Sequence, residues 1–389
     1  MQPQLFTPFT LRGVTVKNRV VISPMCQYSA QDGVLNDWHL VHLGKFAQGG
    51  AGIVFVEATA VSAQGRITHG DSGLWTDAQI APLRRIAEFV RAQGAVPAIQ
   101  LGHAGRKASM QRPWFGNGAL TAADTARGDM AWPVVSASTL PMDAAALAPQ
   151  AMDAAQLQAL AEQFSAAVKR AGEAGFDIVE VHAAHGYLLN QFLSPISNRR
   201  TDAYGGDREG RMRFPLEVIA AARNAWPADK PLFLRISSVD GVEGGVTLED
   251  SVAFCQAAKQ RGVDLVDCSS GGIGGPATAA KGAPKPYLHQ VPYAAAIKRE
   301  TGLATMAVGL IVHPKQAEGI VAGGEADLVA IAREALFDPN WPLHAELALR
   351  GGDMAAFASW PKHYGWWLER REPGLRELEG PALMFRGVG

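Results

Sequence analysis

Eight short apolar runs, most of them followed by a stretch of helical period, constrain this chain more than any other feature. The runs span residues 20–25, 52–57, 96–101, 177–182, 232–236, 265–268, 305–309 and 328–331. None alternates strictly between apolar and polar residues. Strands of that kind are buried on both faces, as in a parallel sheet covered by helices. The intervening periodicity predicts helices over 38–48, 77–93, 153–174, 208–224, 248–261, 292–301, 314–322 and 341–349. Asp153 is placed to cap its helix, and Gly94 and Gly175 to end theirs. Eight strand–helix pairs make either a (β/α)8 barrel or a large doubly wound sheet. A dinucleotide-binding sheet needs a GxGxxG turn after its first strand. The residues there are Pro24, Met25, Cys26 and Gln27, with no glycine. The prediction is therefore an α/β (β/α)8 TIM barrel. It forms one domain over 1–371, with a long Ala-, Pro- and Gly-rich loop at 106–150 after the third strand, and leaves 372–389 as a C-terminal tail with no assignable role.

Charge and cysteine content narrow the partners. Lys plus Arg number 36 and Asp plus Glu 37, a net charge of −1. That balance argues against nucleic acid or an anionic membrane as the main partner. No apolar run approaches the ~18 residues of a membrane helix. The opening MQPQLFTPFTLRG has no basic segment leading into an apolar one, so no secretory leader is expected. Three cysteines suit a reducing compartment. The expectation is a cytoplasmic protein acting on a small molecule.

Barrels place their chemistry at the C-terminal ends of strands. The fourth run ends in His182 and His185, two imidazoles able to donate hydrogen bonds to one developing oxyanion. They could also ligate a metal, but only Cys26 and Glu57 offer further ligands at neighbouring strand ends. Tyr187, two residues on, can serve as a proton donor. Gly271 and Gly272, then Gly309, then Arg333 fall after the sixth, seventh and eighth runs, where barrels bind phosphate through backbone N–H groups. Gln100 and Arg235 are polar residues on otherwise apolar strands. A buried Arg235 needs an acceptor: either a ligand ring with carbonyl and nitrogen atoms, or a carboxylate such as Asp177, Glu180 or Asp267.

Cys26, Glu57, Gln100, His182, His185 and Tyr187 fall within a set of longer motifs: KNR at 17–19, SPMCQYSA at 23–30, VEATAV at 56–61, GRIT at 65–68, IQLGHAGRKA at 99–108, HAAHGYLLNQFLSP at 182–195 and NRRTDAYGG at 198–206. In this order they resemble the Old Yellow Enzyme family of FMN-dependent ene-reductases, in its thermophilic-like branch that includes xenobiotic reductases. The resemblance implies a barrel holding non-covalent FMN, with NADPH or NADH as a transient hydride donor. It implies that Ser23, Pro24, Met25, Cys26 and Ala58 line the flavin, that Gln100 meets its pyrimidine edge, and that Arg235 lies by its N1/C2 carbonyl. It places Gly271, Gly272, Gly309, Ala332 and Arg333 at the phosphate, with Ala332 standing where the family commonly has glycine. His182 and His185 then bind the substrate oxygen, Tyr28 and Cys26 help position the substrate, and Tyr187 supplies the proton. The family also implies a homodimer or homotetramer in which a C-terminal residue, here Trp366, Trp367 or Arg370, enters a neighbour's site. The implied reaction is ping-pong hydride transfer to the C=C bond of α,β-unsaturated carbonyl or nitro compounds. A quinone or nitro-xenobiotic is the alternative acceptor. A phosphosugar lyase or isomerase without flavin is the distant alternative. It calls for a Schiff-base lysine or a carboxylate base at a strand end, and no lysine stands there.

Overall fold

A computed structural model describes residues 2–274, 285–351 and 354–379. The strands are β1 (Val20–Ile22), β2 (Ile53–Ala60), β3 (Val96–Gly102), β4 (Ile178–Ala183), β5 (Leu232–Ser237), β6 (Leu265–Ser269), β7 (Ala304–Ala307) and β8 (Leu328–Ile331). Each pairs in parallel with the next, and β8 pairs with β1, so the sheet closes. Helices α1 (Asp37–Gln48), α2 (Ile80–Ala92), α3 (Ala154–Glu173), α4 (Arg208–Ala225), α5 (Leu248–Lys259), α6 (Val291–Thr301), α7 (Pro314–Ala322) and α8 (Trp341–Leu349) follow the strands in turn. The (β/α)8 barrel predicted from the repeat is the fold.

Burial explains why the runs read as continuous. On one strand face Val21, Ile53, Phe55, Ala98, Phe233 and Met306 form a cluster inside the barrel. On the other, Val20, Ile22, Val54, Ile99, Leu234 and Val266 pack with the surrounding helices. With no strand face left to solvent, no position favours a polar residue on grounds of exposure. Each fully buried aliphatic or Phe side chain contributes about 1.5–3 kcal/mol. The polar exceptions inside the barrel are therefore costly and need a reason.

The helix ends follow local chemistry. The Asp153 carboxylate accepts the Gln156 N–H at the start of α3. Thr247 and Asp250 form a reciprocal cap on α5. Gly94, with φ at 75°, turns the chain out of α2. Two features go beyond the repeat. A hairpin of Phe9–Leu11 and Val14–Val16 lies under the barrel, with Val16 joining the interior cluster. The Glu318 carboxylate of α7 fixes the chain just before it by accepting the Gln4 and Leu5 N–H groups, both at 2.8 Å. At the other terminus a long helix α9 (Lys362–Glu379) packs Leu368 on a small cluster with Leu347 and Phe357. It runs unbroken across the expected 371/372 division. Residues 380–389 of the tail lie outside the described residues. Among the described residues, no helix is long and apolar enough to cross a membrane.

Candidate active site

The mouth of the barrel gathers most of the residues singled out in the sequence. At the end of β4 the His182 and His185 rings lie 5.3 Å apart, nearly perpendicular, and Tyr187 stands 5.1 Å from His182. His185 takes a left-handed backbone conformation, φ 60°, followed by Gly186 at 70°. This tight turn brings three side chains spaced over six residues together. The Ala184 N–H approaches His182 Nδ1 at 3.3 Å, which leaves Nε2 to carry the ring proton. His185 Nε2 meets Ser269 Oγ at 2.7 Å. Burial, reinforced by the Arg235 charge, pushes both imidazole pKa values well below the usual histidine range. Both rings are therefore neutral hydrogen-bonding groups. Burial likewise raises the Tyr187 phenol well above its usual value, so it keeps its proton. His182 and Tyr187 line one cavity together with Ala58, Thr59, Gly102 and His103.

After β1 the chain passes through Ser23, Pro24, Met25 and Cys26 to Tyr28, which is buried with φ at 50°. One carboxylate holds this segment. Glu57, 3% exposed within β2, accepts the Gln27 N–H on one oxygen and faces His39 Nε2 of α1 at 3.1 Å on the other. His39 Nδ1 accepts the Asn36 N–H, so Nε2 is the donor to Glu57. Glu57, considered from the sequence as a metal ligand, thus serves to brace the Cys26 segment. Burial, aided by the Glu57 charge, raises the Cys26 pKa well above the ordinary thiol range, so the group is a neutral thiol.

The floor of the mouth is polar. Gln100 on β3 stands beside Glu180 on β4, and Arg235 on β5 lies between His182 and Asp267 of β6. Gln100 Nε2 donates to Glu180 Oε1 at 2.7 Å. Arg235 Nε lies 3.1 Å from Asp267 Oδ2, in a poorly directed contact that leaves this N–H without a hydrogen bond. Of the carboxylates considered for Arg235, Asp267 is its ion-pair partner. Burial and then the Asp267 charge push the Glu180 pKa up to about 8. A buried guanidinium lacking a good acceptor, beside an oriented amide and under a small Ala58, fits the carbonyl-rich edge of a flavin. The residues present are compatible with FMN.

Two glycines carry duties other than the one expected. The Gly271 N–H donates to Val239 O at 2.7 Å, and its carbonyl accepts from Ser237 Oγ. A Cβ at Gly272 would meet the His185 backbone at 2.6 Å. The Gly271 N–H is thus not free for a phosphate, and Gly272 is small because it packs on the histidine turn. Gly309, with φ at 120°, packs on Gln290, and Arg333 after β8 is exposed. Trp366, Trp367 and Arg370 lie exposed on α9, where the Arg370 guanidinium covers the Trp366 ring at 3.7 Å. None of the three lines the cavity.

The sequence reading gave no role to Arg106 and Lys107. Both are buried. Lys107 Nζ donates to the carbonyls of His185 and Gly272, and Arg106 donates to Ile273 O at 2.7 Å. They tie the β3, β4 and β6 loops together. Burial, then the Arg106 charge, lowers the Lys107 pKa to about 7. Asp71, which also lines the cavity, holds the 67–71 turn by accepting the Ile67 and Thr68 N–H groups. Two adjacent basic residues after a strand suggest a surface patch, and only the fold reveals that they point inward.

Comparison with known proteins identifies the family and the fold. Residues 4–350 match the NADH:flavin oxidoreductase / NADH oxidase family. The chain is 44% identical over 368 residues to an NADPH dehydrogenase of Geobacillus sp. (strain WCH70), covering 94% of this chain and 99% of that one. It is 43% identical over 353 residues to an NADPH dehydrogenase of Halalkalibacterium halodurans, covering 90% and 96%. Among solved structures, morphinone reductase superposes with a TM-score of 0.73 at 26% identity over 90% of each chain. A 2-naphthoyl-CoA reductase complex shares the fold, with a TM-score of 0.79 at 24% identity over 90% of this chain and 53% of that one. The matched family spans all eight strand–helix units, so the chain belongs to the NADH:flavin oxidoreductase / NADH oxidase family, the Old Yellow Enzyme group, and is an NAD(P)H-dependent flavin oxidoreductase.

Proposed function

We propose that this enzyme is an ene-reductase that oxidises NADPH and reduces the C=C bond of α,β-unsaturated carbonyl or nitro compounds. The observation that carries the reading is a neutral imidazole and a protonated phenol, His182 and Tyr187, on one cavity, with the neutral His185 ring 5.3 Å from His182. FMN, bound non-covalently at the mouth against Ser23 to Cys26, Ala58, Gln100 and Arg235, supplies hydride chemistry when present. Gly309, Ala332 and Arg333 would hold its phosphate.

The protein's own part is orientation and charge. His182 Nε2–H and the His185 ring hold the acceptor's oxygen and stabilise the negative charge that grows there as hydride reaches the β-carbon. Neutral rings suit this task, because they donate without forming a fixed ion pair with the substrate. The Tyr187 hydroxyl then gives its proton to the α-carbon. Arg235, ion-paired with Asp267, would offer positive charge to a bound flavin. The neutral Cys26 thiol and Tyr28 shape the wall of the acceptor site.

The test is anaerobic. The FMN-loaded protein is reduced with NADPH, the flavin colour is followed, and 2-cyclohexenone is added. Bleaching followed by recovery of colour is the expected result. Bleaching without recovery refutes enone reduction and points to a quinone or nitro-xenobiotic acceptor. We also infer a homo-oligomer in which α9 reaches a neighbouring mouth. The exposed Trp366, Trp367 and Arg370 support it. Truncation after Pro361 should lower both assembly and acceptor turnover, and unchanged values for both refute it.

A further inference from the structure

The barrel floor carries an unbalanced charge. Glu180, Arg235 and Asp267 occupy three adjacent strands, with Arg235 in register with Asp267 and one step from Glu180. Both carboxylates are 0% exposed and Arg235 is 7% exposed. There are thus two buried acids and one buried base. Asp267 has the contact with Arg235, yet neither of its oxygens accepts a hydrogen bond. Glu180 Oε1 accepts only the Gln100 amide, and its Oε2 accepts nothing.

Among the described residues, nothing else nearby supplies the missing charge. On β4, His182 is neutral, and on β3 Gln100 is uncharged. From β6, Ser269 is uncharged. The interior layer contributed by β1, β2, β7 and β8 is Val21, Phe55, Met306 and Ala330. Lys107, above the floor, donates to two backbone carbonyls and pairs with neither acid. A second ionised carboxylate with no counter-ion of its own costs several kcal/mol in such a place. One of the two must hold a proton, and Asp267 has the counter-ion. Burial raises both carboxyl pKa values, and the Arg235 contact at Asp267 favours Glu180 as the acid that holds the proton.

We propose that Glu180 is a proton-loading site whose protonation follows the negative charge placed beside Arg235 during turnover. The inference rests on the flavin lying at this mouth. Hydride from NADPH brings two electrons and one proton, hence one unit of negative charge, and NADP⁺ leaves. In alkaline solution the Glu180 carboxylate answers by taking a proton from water, forming its own O–H bond as one water O–H bond breaks and hydroxide leaves to bulk solvent. When hydride passes on to the acceptor, the charge beside Arg235 is gone and Glu180 returns that proton to water. Arg235 thus keeps half its attention for the ligand, because Asp267 alone is its fixed counter-ion.

The test uses the FMN-loaded protein and reads the flavin midpoint potential, not turnover, from about pH 7 to about pH 10. One additional proton per two electrons steepens the fall in potential by about 30 mV per pH unit, since a tenfold change is 29.6 mV for two electrons. Wild type should be steeper than Glu180→Gln by that amount above about pH 8. Asp267→Asn gives Glu180 sole use of Arg235 and should move the steep segment toward acid. Equal slopes in wild type and Glu180→Gln overturn the proposal. If neither variant takes up FMN, a wild-type slope of only one proton per two electrons throughout the range overturns it. A wild-type protein that takes up no FMN at all refutes the flavin reading itself, and this inference with it.

Discussion

Replacing Glu57 by Gln is the most informative single change near the mouth. Two donors, the Gln27 N–H and His39 Nε2–H, converge on one carboxylate that is 3% exposed. Glutamine offers one carbonyl oxygen and one NH2 group. One donor keeps an acceptor, now uncharged, which loses about 1 kcal/mol relative to a charge-assisted bond. The other donor faces an N–H and is left unsatisfied, at about 1–3 kcal/mol. The His39 ring cannot switch tautomer without cost, because Nδ1 already accepts the Asn36 N–H at 3.2 Å. Relief from burying a carboxylate offsets part of the loss. The expected net destabilisation is about 2–3 kcal/mol, read by urea unfolding at fixed saturating FMN. His39→Gln removes one of the two contacts and should cost about half as much. The double variant should cost less than the sum of the singles, because both act on one carboxylate. A loss under about 1 kcal/mol for Glu57→Gln would refute the claim that this carboxylate braces the Cys26 segment.

Three further outcomes follow from the same geometry. Tyr187→Phe should slow acceptor reduction about 10²-fold in stopped-flow traces, the usual worth of a positioned acid, with a much smaller effect on reduction by NADPH; equal slowing of both steps refutes the proton-donor role. Lys107→Met keeps the stem but loses the donors to the His185 and Gly272 carbonyls, and should destabilise by about 2 kcal/mol near neutral pH. Since the folded-state Lys107 pKa is lowered to about 7, the wild type gains stability as pH rises from about 7 toward the unfolded value near 10.5, so the deficit of the variant should widen over that window. His42 on α1, packed 4.9 Å from Phe46, has its pKa lowered to about 3 by burial, so its stabilising contribution is complete above the unfolded value near 6.5 and is lost as pH falls toward 3. His42→Gln should remove about 1.4 kcal/mol per pH unit from the acid slope of wild type, and parallel stability curves would contradict that.

The barrel was readable because each of its strands is buried on both faces. The run 328–331 coincides with β8, and the caps at Asp153 and Gly94 marked their helices. The C-terminal ends of strands were less readable. β2 continues past Glu57 to Ala60 through a shift in register between Val56 and Ala58. β7 stops at Ala307, before Gly309 takes a positive φ. The hairpin at 9–16 has strands of three residues, too short to show a period. At the site, His182, His185 and Tyr187 were visible as a local cluster in one motif. Lys107 was not, because its purpose depends on carbonyls at residues 185 and 272. Glu57 and Gly271 invited ligand roles from their positions, and only their hydrogen bonds show that backbone atoms claim them first.

The hairpin beneath the strands makes this barrel a cup, not a tube. Val16, Phe9 and Leu11 lie against Ile53, Ile178, Phe233 and Leu328, sealing the lower end with hydrocarbon. That apolar packing disfavours ions and water approaching Glu180 from below, so proton exchange with the polar rim is the less costly path. A planar ligand seated on that rim acts as a cork. Equilibration of the buried acid with bulk solvent then becomes slower when the cup is full than when it is open. The protonation state set before the ligand settles can outlast the moment of binding.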